Sequence, residues 1–300
     1  MMVKVADLQL HAQGVAAGRL PVSVIIPVRN EAHNLRRSLE ALRNVGEVYV
    51  VDSQSTDATI EIAREFGAKV VQFRYQGGWP KKRQWALDTL EFAHDWILLL
   101  DADEVMTSDL ETEIRQAIGG EAIAGYRICL QMYFLGRALK HCDANFWKLS
   151  LFRRGKGRYE CRLKDQNASM ADMEVHEHVV VEGSTADLQH SLIHHNVESL
   201  ARYIQKHDEY SNWESCVLAQ GEAANGELRP AFLGTQAQRR RWLKLRLFGI
   251  PGSPVLLFLY RYLLRFGFLD GVPGLIYCGF QAVQMFHTKA KIYELKRDTR

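Results

Sequence analysis

Apolar runs and helix-patterned segments alternate along the first 105 residues, and this alternation limits the fold more than any other feature of the sequence. Runs rich in β-branched residues and leucine, which are typical of buried strands, occur at residues 22–28, 47–52, 69–73 and 96–100. Each of the first three runs is followed by a segment whose apolar residues have helical spacing. Strands that alternate with helices in this way predict an α/β fold with a parallel sheet covered by helices.

The helix after the first strand has recognisable ends in the sequence. Asn30 is a residue type that caps helix N-termini, and Leu35, Leu39 and Leu42 fall on one helical face. Gly46 predicts the end of this helix, because glycine readily adopts the left-handed conformation that closes helices.

The rest of the chain divides into regions of different pattern. Helical spacing predicts helices at residues 81–93, 106–118 and 198–223. Between residues 121 and 195 the sequence contains short β-like runs with many histidines and charged residues. From residue 236 to residue 287 arginine and lysine mix with tryptophan, phenylalanine, leucine and tyrosine.

Residues 236–287 pose the question of membrane contact. Arg261, Arg265 and Asp270 interrupt the apolar stretches, so a membrane-spanning helix is disfavoured. Cations for anionic lipid heads, together with aromatic and leucine side chains for the acyl boundary, predict amphipathic helices that lie at a membrane surface. The alternative is that these helices pack on the sheet or on a second subunit.

Carboxylates collect where the predicted strands end. Asp52 closes the second strand, and Asp101 and Asp103 follow the fourth. Functional groups of parallel sheets gather at the carboxyl ends of the strands. Two carboxylates one residue apart on a strand point to the same face, and such oxygen ligands suit Mg²⁺ or Mn²⁺. An acidic turn exposed to solvent is the alternative explanation of this D-x-D sequence.

Composition and motifs exclude several other classes. The net charge of +3 does not argue for a nucleic-acid partner, and five cysteines without a C-x-x-C spacing disfavour a disulfide framework or a zinc site. The N-terminus lacks the apolar core of a signal peptide, so we expect the catalytic region to be cytoplasmic. No G-x-G-x-x-G follows the first strand, which disfavours a dinucleotide-binding dehydrogenase.

The D-x-D sequence also permits a different enzyme. An apolar strand that ends in D-x-D resembles the opening of haloacid-dehalogenase-type phosphatases, in which Asp101 would attack phosphorus and Asp103 would act as the acid. In those phosphatases the motif follows the first strand rather than the fourth, and no acidic pair follows a later apolar strand here.

Three segments taken together resemble the family 2 glycosyltransferases, which have a GT-A fold. They are VSVIIPVRNEAHNLRRSLEAL (22–42), VYVVDSQSTDATIEIAREFGAKV (48–70) and WILLLDADE (96–104). The resemblance implies a mixed, mostly parallel sheet with helices on both faces, plus a C-terminal amphipathic helical extension. It also implies a division of the chain into an N-terminal extension (1–20), a GT-A domain (21–235) with a nucleotide-sugar half (21–120) and an acceptor half (121–235), and membrane-associated helices (236–300).

The resemblance assigns roles on the donor side. Asp52 would contact the nucleotide base, although Gln54 departs from the glycine that many members carry at that position, so the base is less certain. The segment 27–31 would line the nucleotide site, and Asp101 and Asp103 would hold the divalent metal and the ribose-diphosphate. The residues implied in that segment are Pro27, Asn30 and Glu31.

A basic segment, GGWPKKRQWALD (77–88), also falls where the family carries a cation beside the donor. Arg83 is the candidate for diphosphate contact, with Lys81 or Lys82 as competitor, because a cation there offsets the charge of the leaving group. The alternative is a solvated basic turn before a helix.

The acceptor side is expected in the segment MEVHEHVVVEG (173–183), which resembles the HE motif of lipopolysaccharide-core and surface-polysaccharide glucosyltransferases. By that resemblance Glu177 is the general base, and His176 orients it or completes the metal shell. The alternative is that Glu177 is a surface carboxylate on a β-turn. H-E-H is not H-E-x-x-H, so a zinc protease site is not supported.

Other side chains have weaker assignments. His194 and His195 are expected near the acceptor or diphosphate, whereas packing is the default interpretation of Lys206 and Tyr210. Three further residues have two interpretations each: sugar stacking or core packing for Trp147, and acceptor-phosphate contact or solvation for Arg153 and Arg154.

The sequence and the resemblance together predict an inverting, metal-dependent glycosyltransferase. It would use Mg²⁺ or Mn²⁺ and move a sugar from a nucleotide-diphosphate donor to a hydroxyl of a lipid-linked or envelope glycan. We expect it at the cytoplasmic face of the plasma membrane, held peripherally through residues 236–287. The alternatives are an inactive glycosyltransferase-like membrane scaffold and the phosphatase with Asp101 as nucleophile.

Overall fold

The alternation of strands and helices is confirmed in the computed structural model, which describes residues 18–142, 144–163, 172–174, 177–195, 199–220, 229–234 and 236–298. The strands are β1 (Leu20–Val28), β2 (Val45–Asp52), β3 (Lys69–Gln72), β4 (Trp96–Leu99), β5 (Glu104–Val105), β6 (Gly125–Phe134), β7 (Arg137–Ala138), β8 (Phe146–Arg153), β9 (Gly157–Tyr159), β10 (Val179–Val181) and β11 (Thr185–His195). The helices are α1 (Ala32–Ala41), α2 (Thr59–Glu65), α3 (Lys82–Thr89), α4 (Ser108–Ala117), α5 (Leu200–Ala219), α6 (Gln236–Phe248), α7 (Ser253–Leu259) and α8 (Gly271–Asp298).

One mixed sheet of nine strands runs through the domain in the order β3-β2-β1-β4-β8-β6-β11-β5, with β7 paired to β6. β1 is parallel to β2 and β4, and β2 is parallel to β3, as the β/α alternation predicts. β8 enters antiparallel between β4 and β6, β6 is parallel to β11, and β5 is antiparallel to β11. β9 and β10 form a separate antiparallel ribbon.

Apolar side chains cover both faces of the sheet. On one face, buried residues of β1, β2, β4, β6 and β11 pack against α1, α2 and α4. On the other face, Ile25, Ile97 and Leu99 pack against α3 and the β9–β10 ribbon. Residues on successive positions of a strand point to opposite faces, so continuous apolar strands are buried on both sides. The expected α/β fold with helices on both faces is confirmed.

The predicted cap and the predicted end of the first helix are both wrong. Asn30 lies outside α1 with φ of 55°, and its Oδ1 accepts a hydrogen bond from the Thr56 amide at 2.7 Å. The Ala32 amide, at the start of α1, donates instead to Asp57 Oδ2 at 3.1 Å. Gly46 lies inside β2, and α1 already ends at Ala41. The cap comes from the following loop because that loop returns to the same edge of the sheet.

Asp57 is suited to this capping because its charge is stabilised. Burial alone would raise the pKa of Asp57, but hydrogen bonds from Thr59 and Ala32 outweigh it and hold the pKa below its ordinary value. A carboxylate at a helix N-terminus also interacts favourably with the helix dipole.

The C-terminal helices pack on the domain through α5 and the β7–β8 connection. A π-helical segment (Tyr260–Leu264) and a 3₁₀ turn (Gly267–Asp270) join α7 to α8. The buried carboxylate of Asp270 accepts from the amides of Lys140 at 3.1 Å and His141 at 2.9 Å. This carboxylate therefore fixes the turn before α8 to the connection between β7 and β8.

Within the part of the chain that the structure describes, no helix combines the length and the apolarity that a membrane crossing requires.

We predict that Asp270→Ala destabilises the protein by about 1–3 kcal/mol, because it leaves two part-buried amides without the carboxylate that accepts from them. Urea unfolding followed by circular dichroism measures the effect. The control is Asp95→Ala, which removes a solvent-exposed ion pair with Arg154 and costs about 0–1 kcal/mol. Equal stability losses in the two variants would contradict this role of Asp270.

Candidate active site

The carboxylates predicted at the strand ends meet at one edge of the sheet. Asp52 ends β2, and Asp101 and Asp103 follow β4, whose neighbour on the other side is β8. The turn after β4 leads at once into β5, so that Glu104 joins the same acidic group. The Asp103 carbonyl accepts the amide of His195 at 2.8 Å, which fixes the turn to β11.

Two cations neutralise Asp101. The Arg83 guanidinium, 3% exposed, contacts its Oδ1, and Lys148 Nζ lies 3.1 Å from its Oδ2. Burial alone would raise the pKa of Asp101, but Arg83 and Lys148 hold it well below its ordinary value. Lys148 also lies 3.2 Å from Glu104 Oε1. The acidic turn is therefore an internal charge network, and the alternative of a solvated turn is wrong.

His194 is the partner of Asp103. Its Nε2 lies 3.3 Å from Asp103 Oδ2. Burial alone would lower the pKa of His194, but the Asp103 carboxylate outweighs burial and raises it. His195, the next residue on β11, packs its ring 5.2 Å from the ring of Tyr133 instead. The structure thus brings His194 to the carboxylates and places the His195 ring away from them.

The donor-side residues form a second hydrogen-bonded group. Asp52 is fully buried and accepts from the Ser55 amide at 3.0 Å and from Gln72 Nε2 at 2.9 Å. Pro27 pairs with Val51 at the end of β1. Asp52 is therefore held rigidly at the strand end.

Helix α5 closes over the segment 27–31. Arg202 donates to the Asn30 carbonyl at 2.7 Å, and both Arg202 and Lys206 lie 3.3 Å from Glu31 Oε1. Burial alone would lower the pKa of Lys206, but Asp103 and Glu31 raise it. Lys206 therefore belongs to the site, and its default interpretation as a packing residue is wrong. Tyr210, one turn further along α5, is half-buried, and burial raises its pKa.

The three basic residues at the start of α3, Lys81, Lys82 and Arg83, are buried, so the alternative of a solvated turn is wrong. Lys82 Nζ donates to the Val28 carbonyl at 3.0 Å and lies 3.1 Å from Asp172 Oδ2. Lys81, Lys82 and Arg83 each face a different acidic partner.

Glu174 holds the start of α3 in place. Its carboxylate accepts from the amides of Arg83 at 3.0 Å and Gln84 at 2.9 Å. Burial raises the pKa of Glu174 despite the neighbouring Arg83. The segment 172–174 is thereby fixed against the helix that carries the buried cations.

Glu177 is a buried carboxylate, so the alternative of a surface β-turn is wrong. It is 6% exposed, and its Oε1 lies 3.1 Å from Lys81 Nζ. Lys81 in turn lies 5.0 Å from the ring of Trp213 on α5, a cation–π distance. His176 lies outside the described residues.

Three residues for which the sequence allowed a contact with sugar or phosphate, Trp147, Arg153 and Arg154, make other contacts in the structure. Trp147 is 36% exposed opposite Cys129, which contradicts core packing. Arg153 stacks 4.7 Å from the ring of Trp96, the first residue of β4, and Arg154 pairs with Asp95. Both arginines therefore lie at the end of β4 opposite the D-x-D turn.

The carboxylate pair fits a divalent cation that shares its ligands with a diphosphate. Asp101 and Asp103 supply the hard oxygen ligands that Mg²⁺ and Mn²⁺ prefer, and these ions take further ligands from substrate phosphates. Among the described residues, no three His, Cys, Asp or Glu side chains form a metal-binding group by themselves. The buried Nδ1 of His194 has no hydrogen-bond partner in the described structure.

Comparison with known proteins agrees with this geometry. Residues 23–159 match the model of glycosyl transferase family 2. The chain is 28% identical over 283 residues to the lipopolysaccharide core biosynthesis glycosyltransferase LpsC of Rhizobium meliloti (strain 1021), a match that covers 92% of this chain and 93% of that protein. A segment of 94 residues, 31% of the chain, is 39% identical to 32% of an uncharacterized glycosyltransferase of Rickettsia felis.

One similar solved structure is glucosyl-3-phosphoglycerate synthase of Mycobacterium tuberculosis in complex with Mn²⁺, UDP and glucosyl-3-phosphoglycerate. It is 24% identical with a TM-score of 0.29, over 40% of this chain and 46% of that chain. From these comparisons, residues 23–159 match glycosyl transferase family 2, and the chain as a whole is similar to a glycosyltransferase of lipopolysaccharide core biosynthesis.

Proposed function

We propose that the protein is an inverting, metal-dependent hexosyltransferase that acts on a lipid-linked or envelope glycan such as the lipopolysaccharide core. One contact pattern supports this function above all others. Lys81 holds Glu177, and Arg83, two residues further on, holds Asp101. The carboxylate proposed as base and the carboxylate proposed to face the metal are thus fixed by the same turn of chain.

On the donor side, Asp52 and the segment 27–31, with Pro27, Asn30 and Glu31, seat the nucleotide. Arg83 and Lys148 place positive charge beside Asp101, where the diphosphate is expected. A divalent cation held by Asp101 and Asp103 would neutralise the charge that develops on the leaving diphosphate.

On the acceptor side, Glu177 takes the proton of the acceptor hydroxyl while the oxygen of that hydroxyl attacks the anomeric carbon of the donor sugar. The bond from that carbon to the diphosphate oxygen breaks, and the nucleoside diphosphate leaves from the opposite face. Attack opposite the leaving group inverts the anomeric configuration. Lys81 fixes the orientation of the Glu177 carboxylate.

The two other functions that the sequence permits have less support. A phosphatase of that type carries its D-x-D sequence after the first strand, whereas Asp101 and Asp103 follow β4. The inactive scaffold has less support because the matching family model and LpsC are both glycosyltransferases.

We propose that residues 21–235 form one domain, with a donor half that ends at residue 120 and an acceptor half that follows it. The membrane surface is the proposed partner of residues 236–287. The segment from α7 to the start of α8 exposes apolar side chains together with Arg265. These side chains are Val255, Leu256, Leu259, Leu263, Leu264, Phe266, Leu269 and Val272. An apolar surface with cations fits anionic lipid, which supports a peripheral position on the cytoplasmic face of the plasma membrane.

We predict that one nucleotide sugar of a panel raises the melting temperature only when Mn²⁺ is present. The panel is UDP-glucose, UDP-galactose, UDP-N-acetylglucosamine and GDP-mannose. A ligand at 100 times its Kd stabilises the native state by about 2.7 kcal/mol. Asp103→Asn is expected to abolish the shift, whereas the exposed Asp109→Asn keeps it. A shift of equal size without metal would argue against metal-dependent donor binding.

We predict that Glu177→Gln lowers kcat by about 10²–10⁴-fold and leaves the donor Kd unchanged, because general base catalysis contributes about that factor. Release of nucleoside diphosphate with truncated lipopolysaccharide as acceptor measures turnover. Glu182→Gln, an exposed neighbour, is the control. The double variant Lys81→Met/Glu177→Gln also removes the Lys81 cation, which Glu177→Gln alone leaves without its carboxylate partner. Full turnover in a folded variant would exclude Glu177 as the base.

We predict that Leu264→Glu lowers binding to vesicles of phosphatidylglycerol and phosphatidylcholine by about tenfold or more, since burying a leucine is worth about 1.5–3 kcal/mol. Leu264 is 70% exposed. Leu233→Glu is the matched control, because Leu233 is exposed outside residues 236–287. Unchanged sedimentation together with loss of a dimer would assign the surface to a second subunit instead.

A further inference from the structure

Helix α6 carries the basic run RRRWLKLR, and two of its cations reach into the protein. Arg241 is 7% exposed, and Lys244 contacts the carboxylate of Glu214 on α5. Residues three apart lie on the same face of a helix, so the buried Arg241 and Lys244, whose side chain is 40% exposed, both contact the domain from this face. Arg239 and Arg246, on the same helix, are exposed.

Arg241 contacts Glu160 and His178, the residue that follows Glu177. Its guanidinium lies 3.1 and 2.5 Å from the two oxygens of Glu160 and 3.2 Å from His178 Nδ1. Burial alone would raise the pKa of the Glu160 carboxyl, but hydrogen bonds from His178 and Arg241 lower it to about 2. Glu160 follows β9, and His178, the residue after Glu177, precedes β10.

Glu160 fixes the main chain of His178 from both sides. The Glu160 amide donates to the His178 carbonyl at 3.0 Å, and Glu160 Oε1 accepts the His178 amide at 3.2 Å. The main chain that carries Glu177 is therefore held by Glu160, and Glu160 is held by Arg241.

The second cation of α6 reaches the Glu177 side chain by another route. Lys244 holds Glu214, which also accepts from Thr288 Oγ1 of α8 at 3.1 Å. Trp213, the residue before Glu214, faces the Nζ of Lys81. Lys81 is the residue that pairs with Glu177. Helix α6 thus contacts the surroundings of Glu177 on its main-chain side and on its side-chain side.

We propose that Arg241 is a positioning residue for Glu177, and that α6 joins the C-terminal surface helices to the catalytic base. This inference rests on the proposed role of Glu177. A buried ion pair can often be replaced by two apolar side chains without loss of stability, so stability alone does not explain why Arg241 and Glu160 are charged. The need to orient Glu177 does explain these charges, because a displacement of about 1 Å at a catalytic group lowers the rate by about 100-fold.

The test compares Arg241→Met, Glu160→Met and the double variant Arg241→Met/Glu160→Met with the exposed control Arg239→Met. Each single variant removes the ion pair between Arg241 and Glu160 while one buried charge remains, and it lowers the melting temperature. The double variant is expected to regain most of the lost melting temperature, apart from the cost of the His178 amide that loses Glu160 as its acceptor, while kcat stays lower by about tenfold or more. Its donor KM is expected within about twofold of the wild type, because the donor contacts lie elsewhere. A double variant that regains both kcat and the melting temperature would show a structural role only.

A second measurement separates this inference from the proposed function. Hydrogen exchange of the amides of residues 177–181 is expected to speed up in the double variant and not in Arg239→Met. Combining the double variant with Glu177→Gln is expected to lower turnover no further than Glu177→Gln alone, because residues that act through one another are not additive. Absence of transfer by the wild type would reject the proposed function, whereas unchanged exchange at residues 177–181 would reject the role of Arg241.

Discussion

Charge neutralisation at the end of β4 is the constraint on which the rest of the structure depends. Asp101, Asp103 and Glu104 lie within four consecutive residues, and buried like charges are costly unless each has a partner. The partners are Arg83 from α3, Lys148 from β8 and His194 from β11. Three elements must therefore assemble around this turn, and each of them comes from a different part of the chain.

The sheet order explains how those partners arrive. β8 lies beside β4, so Lys148 reaches Asp101, and β11 lies beside β5, so His194 reaches Asp103. The parallel half of the sheet supplies the carboxylates, and the strands beyond β4 supply two of the three counter-charges. The two halves are joined by electrostatic attraction as well as by hydrogen-bonded strands, which makes the strand-end edge rigid before any ligand binds.

The sequence predicts what is local and misses what is brought together by the fold. The β/α alternation, the strand-end aspartates and the burial of apolar runs follow from the periodicity of the chain. Lys148 lies in β8 among aromatic and apolar residues that gave it no predicted role, and Lys206 has the spacing of a packed helix face. Asn30 failed as a helix cap because the loop before α2 supplies Asp57 instead. Partners that are distant in sequence leave no local signal.

The fixed position of Glu177 has a consequence for an acceptor at a lipid surface. The lipid-linked acceptor that we propose would have a hydroxyl with little freedom perpendicular to the membrane, so the proposed base would have to lie at a fixed distance from the surface that binds the lipid. Helices α6 and α8 both contact Glu214 on α5, and α6 also holds Glu160, next to the chain that carries Glu177. Ion pairs with charged hydrogen bonds fix the relative positions of two segments more closely than apolar contacts do, because such hydrogen bonds are directional. A charged connection from α6 to Glu177 would therefore suit the lipid-linked acceptor that we propose.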